Sequence, residues 1–265
     1  KLDPKLHIKK AEVKDNGNSL DILWSDSNKT INYTSKFFLD NLNQSKTGKQ
    51  SLKIWERKDL DQAIYFNYND VISKNGFKFF LKKLYEYGFV VVQNCKTEMR
   101  SVEKIAKKIG YVRESIFGGL WSFESNKDKA DSAYTQDELR PHTDSTYSND
   151  APGLQLLLCC HYNATGGESI MVDGFKIAEK IKNEKKDIYD TLTNFEVTGQ
   201  YLGDGVSLKA KRPIFRLNSN RELIQVSFNN YDRAPFRMSE DKTIKFYESI
   251  REFDLIANNK EYQWR

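Results

Sequence analysis

The chain is poor in cysteine and histidine. Its 265 residues hold three of each: Cys95, Cys159 and Cys160, and His7, His142 and His161. The cysteines show no CxxC spacing, and an odd count speaks against a disulfide framework, which points to a reducing compartment. Long apolar runs are missing as well. None approaches the ~18 residues that cross a membrane as a helix, and the longest, Leu154 to Cys160, suits a buried strand. There is no internal repeat and no low-complexity tract. Concentrated charge is also absent: the net +5 comes from scattered basic residues. Pairs such as Lys9-Lys10, Lys82-Lys83 and Lys107-Lys108 read as solvated faces rather than as a nucleic-acid track. Neither nucleic acid nor membrane is therefore an expected partner, while the positive balance attracts anionic substrates weakly. The opening Lys1-Leu2-Asp3-Pro4 has the pattern of neither a signal nor a transit peptide. It lacks an initial Met, so a preceding segment is expected.

With 38% hydrophobic and 30% charged residues, what is present reads as a globular chain of one or two domains. Residues 1–50 form a small N-terminal β domain in this reading. Leu6, Ile8, Leu20, Ile22, Leu23 and Trp24 supply its apolar positions, Asp15-Asn16-Gly17-Asn18 its turn, and the polar stretch Ser45 to Gln50 a linker. Residues 51–265 form the second domain. Phe77, Phe80, Leu81, Leu84 and Tyr85 share a helical face ended by Gly88. Phe89 to Val92 reads as a buried strand, and a helix from about Glu98 to Gly110 has Thr97 as its N-cap. Beyond Tyr111 the pattern is mostly β: Gly153 to Cys160, Glu168 to Val172, Pro213 to Leu217 and Leu223 to Phe228. A helix over Phe175 to Lys182 interrupts these strands, and Ser239 caps a last helix carrying Phe246, Ile250 and Phe253. The fold class expected is mainly β with flanking helices: a double-stranded β-helix, or jelly-roll, core beside the small N-terminal β domain.

His142-Thr143-Asp144 is the chemistry-bearing motif. Residues i and i+2 of a strand point to one face, so an imidazole nitrogen and a carboxylate oxygen can reach one ion together. Two such ligands plus a distant His make the facial triad of non-haem iron oxygenases, which leaves positions open for co-substrate and oxygen. From spacing alone the pair also reads as a loop hydrogen bond, and His161, ending an apolar run, as a core or rim residue.

Ordered blocks surround the motif. Arg113-Glu114-Ser115-Ile116-Phe117-Gly118-Gly119-Leu120-Trp121 and Asp131-Ser132-Ala133-Tyr134-Thr135 precede it, and Ser145-Thr146-Tyr147 follows it directly. Gly166-Gly167-Glu168-Ser169, Val172-Asp173-Gly174-Phe175 and Phe228-Asn229-Asn230-Tyr231-Asp232-Arg233-Ala234 come later. Over nearly its whole length the chain resembles the γ-butyrobetaine/trimethyllysine dioxygenases of carnitine biosynthesis, and is most like the trimethyllysine branch. The resemblance implies dependence on Fe(II) and 2-oxoglutarate, with ascorbate in support. It makes His142 and Asp144 iron ligands and sets the Ser169 hydroxyl beside 2-oxoglutarate. Trp121, Tyr134 and Phe117 would line a trimethylammonium pocket, with Tyr147 facing it. A quaternary ammonium has no N–H to donate and is held by aromatic faces. Without the resemblance these rings read as core aromatics. Phe117 stands where the family usually has Tyr, so the ring face stays and the hydroxyl is lost.

The two substrates of the family differ at the other end. Trimethyllysine adds an α-ammonium, which calls for a carboxylate acceptor. The trimethyllysine enzymes carry Asp at the position of Asp131, where the butyrobetaine enzymes resemble Asn. Asp131 otherwise reads as a solvated loop acid. Asn230 and Arg233 read either as contacts to the substrate carboxylate or as strand-end structure. The reaction implied is C3 hydroxylation of Nε-trimethyllysine, coupled to conversion of 2-oxoglutarate to succinate and CO2, the first step of carnitine biosynthesis. The alternatives are γ-butyrobetaine hydroxylation and a catalytically silent trimethylammonium-binding relative. The family's third iron ligand is a His in a segment resembling Asp-Asn-x-Arg-x-x-His-Gly-Arg, followed by an Arg for 2-oxoglutarate. The chain reaches Arg265 without it, so the expectation is a chain truncated at its C-terminus. The family's N-terminal zinc site is not expected, because the Cys cluster is lacking and Asn28 stands where its His would fall. A homodimer in an intracellular compartment, mitochondrial or cytoplasmic, completes the expectation.

Overall fold

The computed structural model describes residues 3–42, 52–124, 137–163, 165–203 and 205–265. By contacts the chain divides into two units, Lys1–Ser51 and Leu52–Arg265. In the first, Asp15, Asn16 and Gly17 all take positive φ (52°, 52° and 92°), a conformation that Asn, Asp and Gly adopt at least cost. The reversal pairs β1 (Ile8–Lys14) with β2 (Ser19–Trp24), and β2 pairs on its other edge with β3 (Thr30–Thr34). Ser19 Oγ donates to Asp15 Oδ2 at 2.6 Å and fastens the turn. Helix α1 (Ser35–Leu42) follows. Its Phe37 and Phe38 rings meet Tyr33 of β3 at 5.5 and 6.0 Å.

The second unit starts with β4 (Tyr65–Asn67), which runs parallel to β5 (Val91–Gln93). Helices α2 (Tyr68–Ile72) and α3 (Lys74–Tyr87) connect them, as parallel pairing requires a crossover. Ser73 Oγ accepts from Gly76 N at 3.0 Å to cap α3, and Gly88, at φ 78°, ends it where the sequence places the stop. Helix α4 (Met99–Ile109) begins after Glu98 rather than after Thr97, one residue later than expected. Phe66, Tyr68, Val71, Phe80 and Ile105 form one core cluster from these elements.

The larger core gathers around Phe215 and Phe246. Helices α5 (Gly174–Glu184) and α6 (Lys186–Asn194) bring Ile177, Ile181 and Leu192 to it. The strands β6 (Met171–Val172), β7 (Glu196–Gly203), β8 (Val206–Pro213), β9 (Phe215–Leu217) and β10 (Leu223–Val226) lie around it. Helix α7 (Glu240–Ala257) adds Phe246, Ile250 and Phe253, and β11 (Gln263–Trp264) returns to pair with β6. Strands β7 and β8 make an eight-pair antiparallel hairpin from Glu196↔Pro213 to Gly203↔Val206, which the sequence reading leaves unassigned, as it does α6.

Several expectations need correction. Gly153 to Cys160 forms no strand; Leu154 and Leu157 are 47% and 64% exposed, and Cys159 and Cys160 lie exposed as free thiols. A strand needs a ladder partner for its backbone groups, and among the described residues this run has none. The strand expected over Glu168 to Val172 shrinks to Met171–Val172 for the same reason. Strands and helices are both present, but helix outweighs strand among the described residues, so the fold is not mainly β there. Among the same residues, the strands of the second unit pair two by two rather than into two facing sheets.

Candidate metal centre and aromatic cluster

His142 and Asp144 sit on a loop, not on a strand, yet their side chains converge. Nε2 of His142 lies 3.1 Å from Oδ1 of Asp144. The backbone between them is clasped by Phe228: Thr143 N donates to Phe228 O at 2.7 Å, and Phe228 N donates to Thr143 Oγ1 at 2.9 Å. This pairing anchors Thr143 between His142 and Asp144, whose side chains meet at 3.1 Å. A second tie comes from the turn after β10. Asn229 Oδ1 accepts from Tyr231 N and Asp232 N, and the Asp232 carboxylate accepts from Thr146 Oγ1 and Asn229 Nδ2 at 3.3 and 2.9 Å. Gly199 of β7 closes the packing. A Cβ there would stand 2.6 Å from the Thr146 carbonyl carbon and oxygen.

The His142 tautomer follows from its other nitrogen. Nδ1 is 2.7 Å from the Arg140 carbonyl oxygen, an acceptor only, so Nδ1 carries the proton and donates it. With a metal bound, the neutral ring would present its Nε2 lone pair on the side of Asp144, the arrangement by which metal-bound histidines are usually oriented; without one, Nε2 in its protonated form donates to Asp144 Oδ1. With bonds of roughly 2.1 Å, two ligands at a right angle on one ion are about 3 Å apart, which the 3.1 Å separation matches. The pair thus fits two adjacent positions of a divalent metal. Without one, the hydrogen bond to Asp144 raises the His142 pKa above 6.5 against the opposing effect of burial, and the Arg140 carbonyl adds to the rise. Asp144 is held below the usual carboxylate range, first by His142, then, against burial, by Gln155. Among the described residues no group of three His, Cys, Asp or Glu could hold a metal.

Beside His142 opens a cavity of about 190 Å³ walled by Arg140, Phe228, Asn230, Tyr231 and Asp254. The Tyr231 ring stands edge-on to His142 at 5.7 Å, and its hydroxyl accepts from Arg140 N at 3.0 Å. Arg140 Nη1 reaches Asp254 Oδ2 of α7 at 3.0 Å. Of the predicted residues that are described, His142 and Asn230 line this cavity. Ser169 is exposed in the segment before β6 and lines neither this cavity nor the smaller one behind it.

The predicted aromatics form a separate cluster. Phe117 stacks on Trp121 with centroids 5.1 Å apart and meets Tyr201 of β7 edge-on at 6.2 Å. Tyr201 in turn meets buried Tyr147 at 5.2 Å, so this strand residue, which the sequence reading misses, links the predicted rings. Asp131 and Tyr134 lie outside the described residues.

Residues 56–265 match the family model "Taurine catabolism dioxygenase TauD, TfdA family". The chain belongs to that family of dioxygenases. It is 35% identical over 192 residues to trimethyllysine dioxygenase of Meyerozyma guilliermondii, covering 69% of this chain and 48% of that protein. With mitochondrial trimethyllysine dioxygenase of Bos taurus it shares 32% identity over 167 residues, 61% of this chain and 40% of the relative. Gamma-butyrobetaine dioxygenase of a Pseudomonas strain is 33% identical over 168 residues, 63% of this chain and 44% of the relative. The chain therefore spans about half the length of the relatives it matches.

Proposed function

We propose that the chain carries the substrate-facing part of an Fe(II)- and 2-oxoglutarate-dependent dioxygenase that hydroxylates Nε-trimethyllysine at C3. The observation that carries this reading is the convergence of His142 Nε2 and Asp144 Oδ1 at 3.1 Å with Nδ1 fixed on a backbone carbonyl. His142 and Asp144 would hold iron, which together with 2-oxoglutarate supplies the activation of O2 for insertion of a hydroxyl. The Arg140 carbonyl holds the His142 ring in place by accepting from Nδ1, and Asp144, held anionic, would balance the metal's charge. Trp121, Phe117 and Tyr147, with Tyr134, offer ring faces to the trimethylammonium group, and Asp131 an acceptor to the α-ammonium. Asn230, on the wall beside His142, can donate to a substrate carboxylate. Ser169 is proposed as a donor to 2-oxoglutarate.

The names of the yeast and vertebrate relatives support trimethyllysine as substrate, and those of the vertebrates support a mitochondrial place, with cytoplasm as the alternative. The 33% identity to a bacterial gamma-butyrobetaine dioxygenase supports a second reading, hydroxylation of that betaine. Steady-state assays of succinate release by the complete protein, with Fe(II), 2-oxoglutarate and each betaine, test both. Higher kcat/KM on trimethyllysine is expected. Preference for γ-butyrobetaine overturns the substrate, and no succinate from either overturns the reaction.

A further inference from the structure

Behind the His142 cavity, sharing Phe228 and Asn230 with it, lies a smaller one of about 20 Å³ between β7, β8 and the turn at 227–233. Arg212 and Arg233 both line it. Arg212 stands on β8 opposite Val197 and is 9% exposed, while Arg233 bridges to Gly199 of β7. Nη2 of Arg212 and Nη1 of Arg233 are buried and without a hydrogen-bond partner among the described residues. The Arg233 guanidinium rests 4.9 Å over the Tyr247 ring and 5.9 Å over Phe246, contacts that fix its plane but offer no acceptor. The other polar side chains lining the cavity are neutral: Thr146, Thr198, Ser227, Asn229 and Asn230. No Asp or Glu faces it among the described residues. Burial, and then the nearby Arg216, pull the Arg212 pKa below its ordinary value, with Asp150 opposing. A guanidinium nevertheless stays protonated in a protein. Two guanidinium nitrogens buried beside one small space, neither donating to any described group, are costly unless an acceptor completes them.

We infer that this cavity is a carboxylate site, with Arg212 and Arg233 as its paired donors. A guanidinium fork matches the two oxygens of a carboxylate. The space takes a small planar head rather than a bulky group. The chemistry of the site stands on the arginines alone; which carboxylate fills it rests on the proposed function, whose two candidates are 2-oxoglutarate and the amino-acid substrate.

Calorimetric titration of the full chain with 2-oxoglutarate and, separately, with Nε-trimethyllysine tests the inference in wild type, Arg212→Met and Arg233→Met. Affinity for one of the two is expected to fall about ten-fold or more in both variants, and the probe that loses affinity identifies the source. Wild type that binds neither at millimolar concentration, or affinities unchanged in both variants, overturns it. Melting without ligand gives an independent readout. Replacing a buried guanidinium that holds an unpartnered nitrogen by an apolar group of similar length should hold or raise Tm. A lower Tm in both variants would mean that the protein itself pairs these arginines, and overturns the site. Since turnover is not read, loss of succinate production would defeat the proposed function and leave this result standing.

Discussion

At the scale of single residues, the candidate centre is a matter of where two lone pairs point. His142 can serve a metal because the Arg140 carbonyl takes its other nitrogen, and Asp144 because it lies at the edge length of two adjacent ligands. Replacing either by Ala should weaken divalent-metal binding by at least about 100-fold, more than loss of an outer-shell partner costs. Titration with Mn(II) reads this directly, and an unchanged affinity removes the residue from the centre. Trp121→Leu should raise KM for the trimethylammonium substrate by about 2- to 30-fold, the range of a cation–π contact. KM for a neutral tert-butyl isostere should stay constant; an equal rise would reduce Trp121 to a packing role. The His-x-Asp pair is legible in sequence because its two-residue spacing keeps both ligands on one short segment, and Thr143 between them is anchored on Phe228. Tyr201, Arg140 and Tyr231 are not legible. The bond from Arg140 N to the Tyr231 hydroxyl spans 91 residues, and nothing local to either residue signals it.

At the scale of elements, the metal loop depends on strand β7. Gly199 has no room for a side chain against Thr146, two residues from Asp144. Gly199→Ala should therefore cost about 1–3 kcal/mol, typical of overpacking against backbone, and weaken metal binding in parallel. Urea melts and metal titration check the pair, and a variant with wild-type values in both would show that the loop adjusts freely. The β7–β8 hairpin escapes the sequence reading because its inward positions on β8 run Val206, Leu208, Ala210, Arg212, ending on a charge. Gly153 to Cys160 misleads in the opposite sense: its apolar run looks like a strand, but pairing is decided by distant partners. Helix starts are clearer. Asp173 caps α5 by accepting from Phe175 N and Lys176 N, and its other oxygen accepts from Trp55 N at 2.9 Å. Asp173→Ala should cost at least about 1–2 kcal/mol. Burial pushes this carboxyl above its ordinary 3.8 while the three backbone donors oppose it. The unfolded chain thus loses the proton first as pH rises. The group's contribution is greatest below 3.8 and falls as pH climbs through the raised folded value. Asp173→Asn, which cannot ionise, should then lose less stability at neutral pH than near pH 4; the reverse order in denaturant melts would refute the raised pKa.

At the scale of the whole molecule, the two units differ in how much they bury. In the three-stranded sheet of Lys1–Ser51, β1 is exposed throughout, and Ser19 and Ile22 of β2 are the buried strand residues among those described. The second unit seals Phe215 and Phe246 at 0% and 1% exposure, with α7 alone contributing six buried residues. Burial of apolar surface supplies most folding free energy at about 25 cal/mol per Å², and a small sheet with one buried apolar side chain gains little of it. Its hydrogen bonds should therefore open locally, without waiting for global unfolding. Phe246→Ala, by contrast, removes a fully buried ring that touches Phe195, Phe236 and Tyr247, a loss of about 3–5 kcal/mol. Hydrogen exchange followed by mass spectrometry separates these behaviours in one experiment. In wild type, β2 amides should exchange markedly faster than those of α7. Phe246→Ala should speed α7 and the amides of β9 and β10 while leaving β2 unchanged. Equal protection of β2 and α7 in wild type, or a common acceleration of both by the substitution, would mean that the units unfold as one and would refute the division.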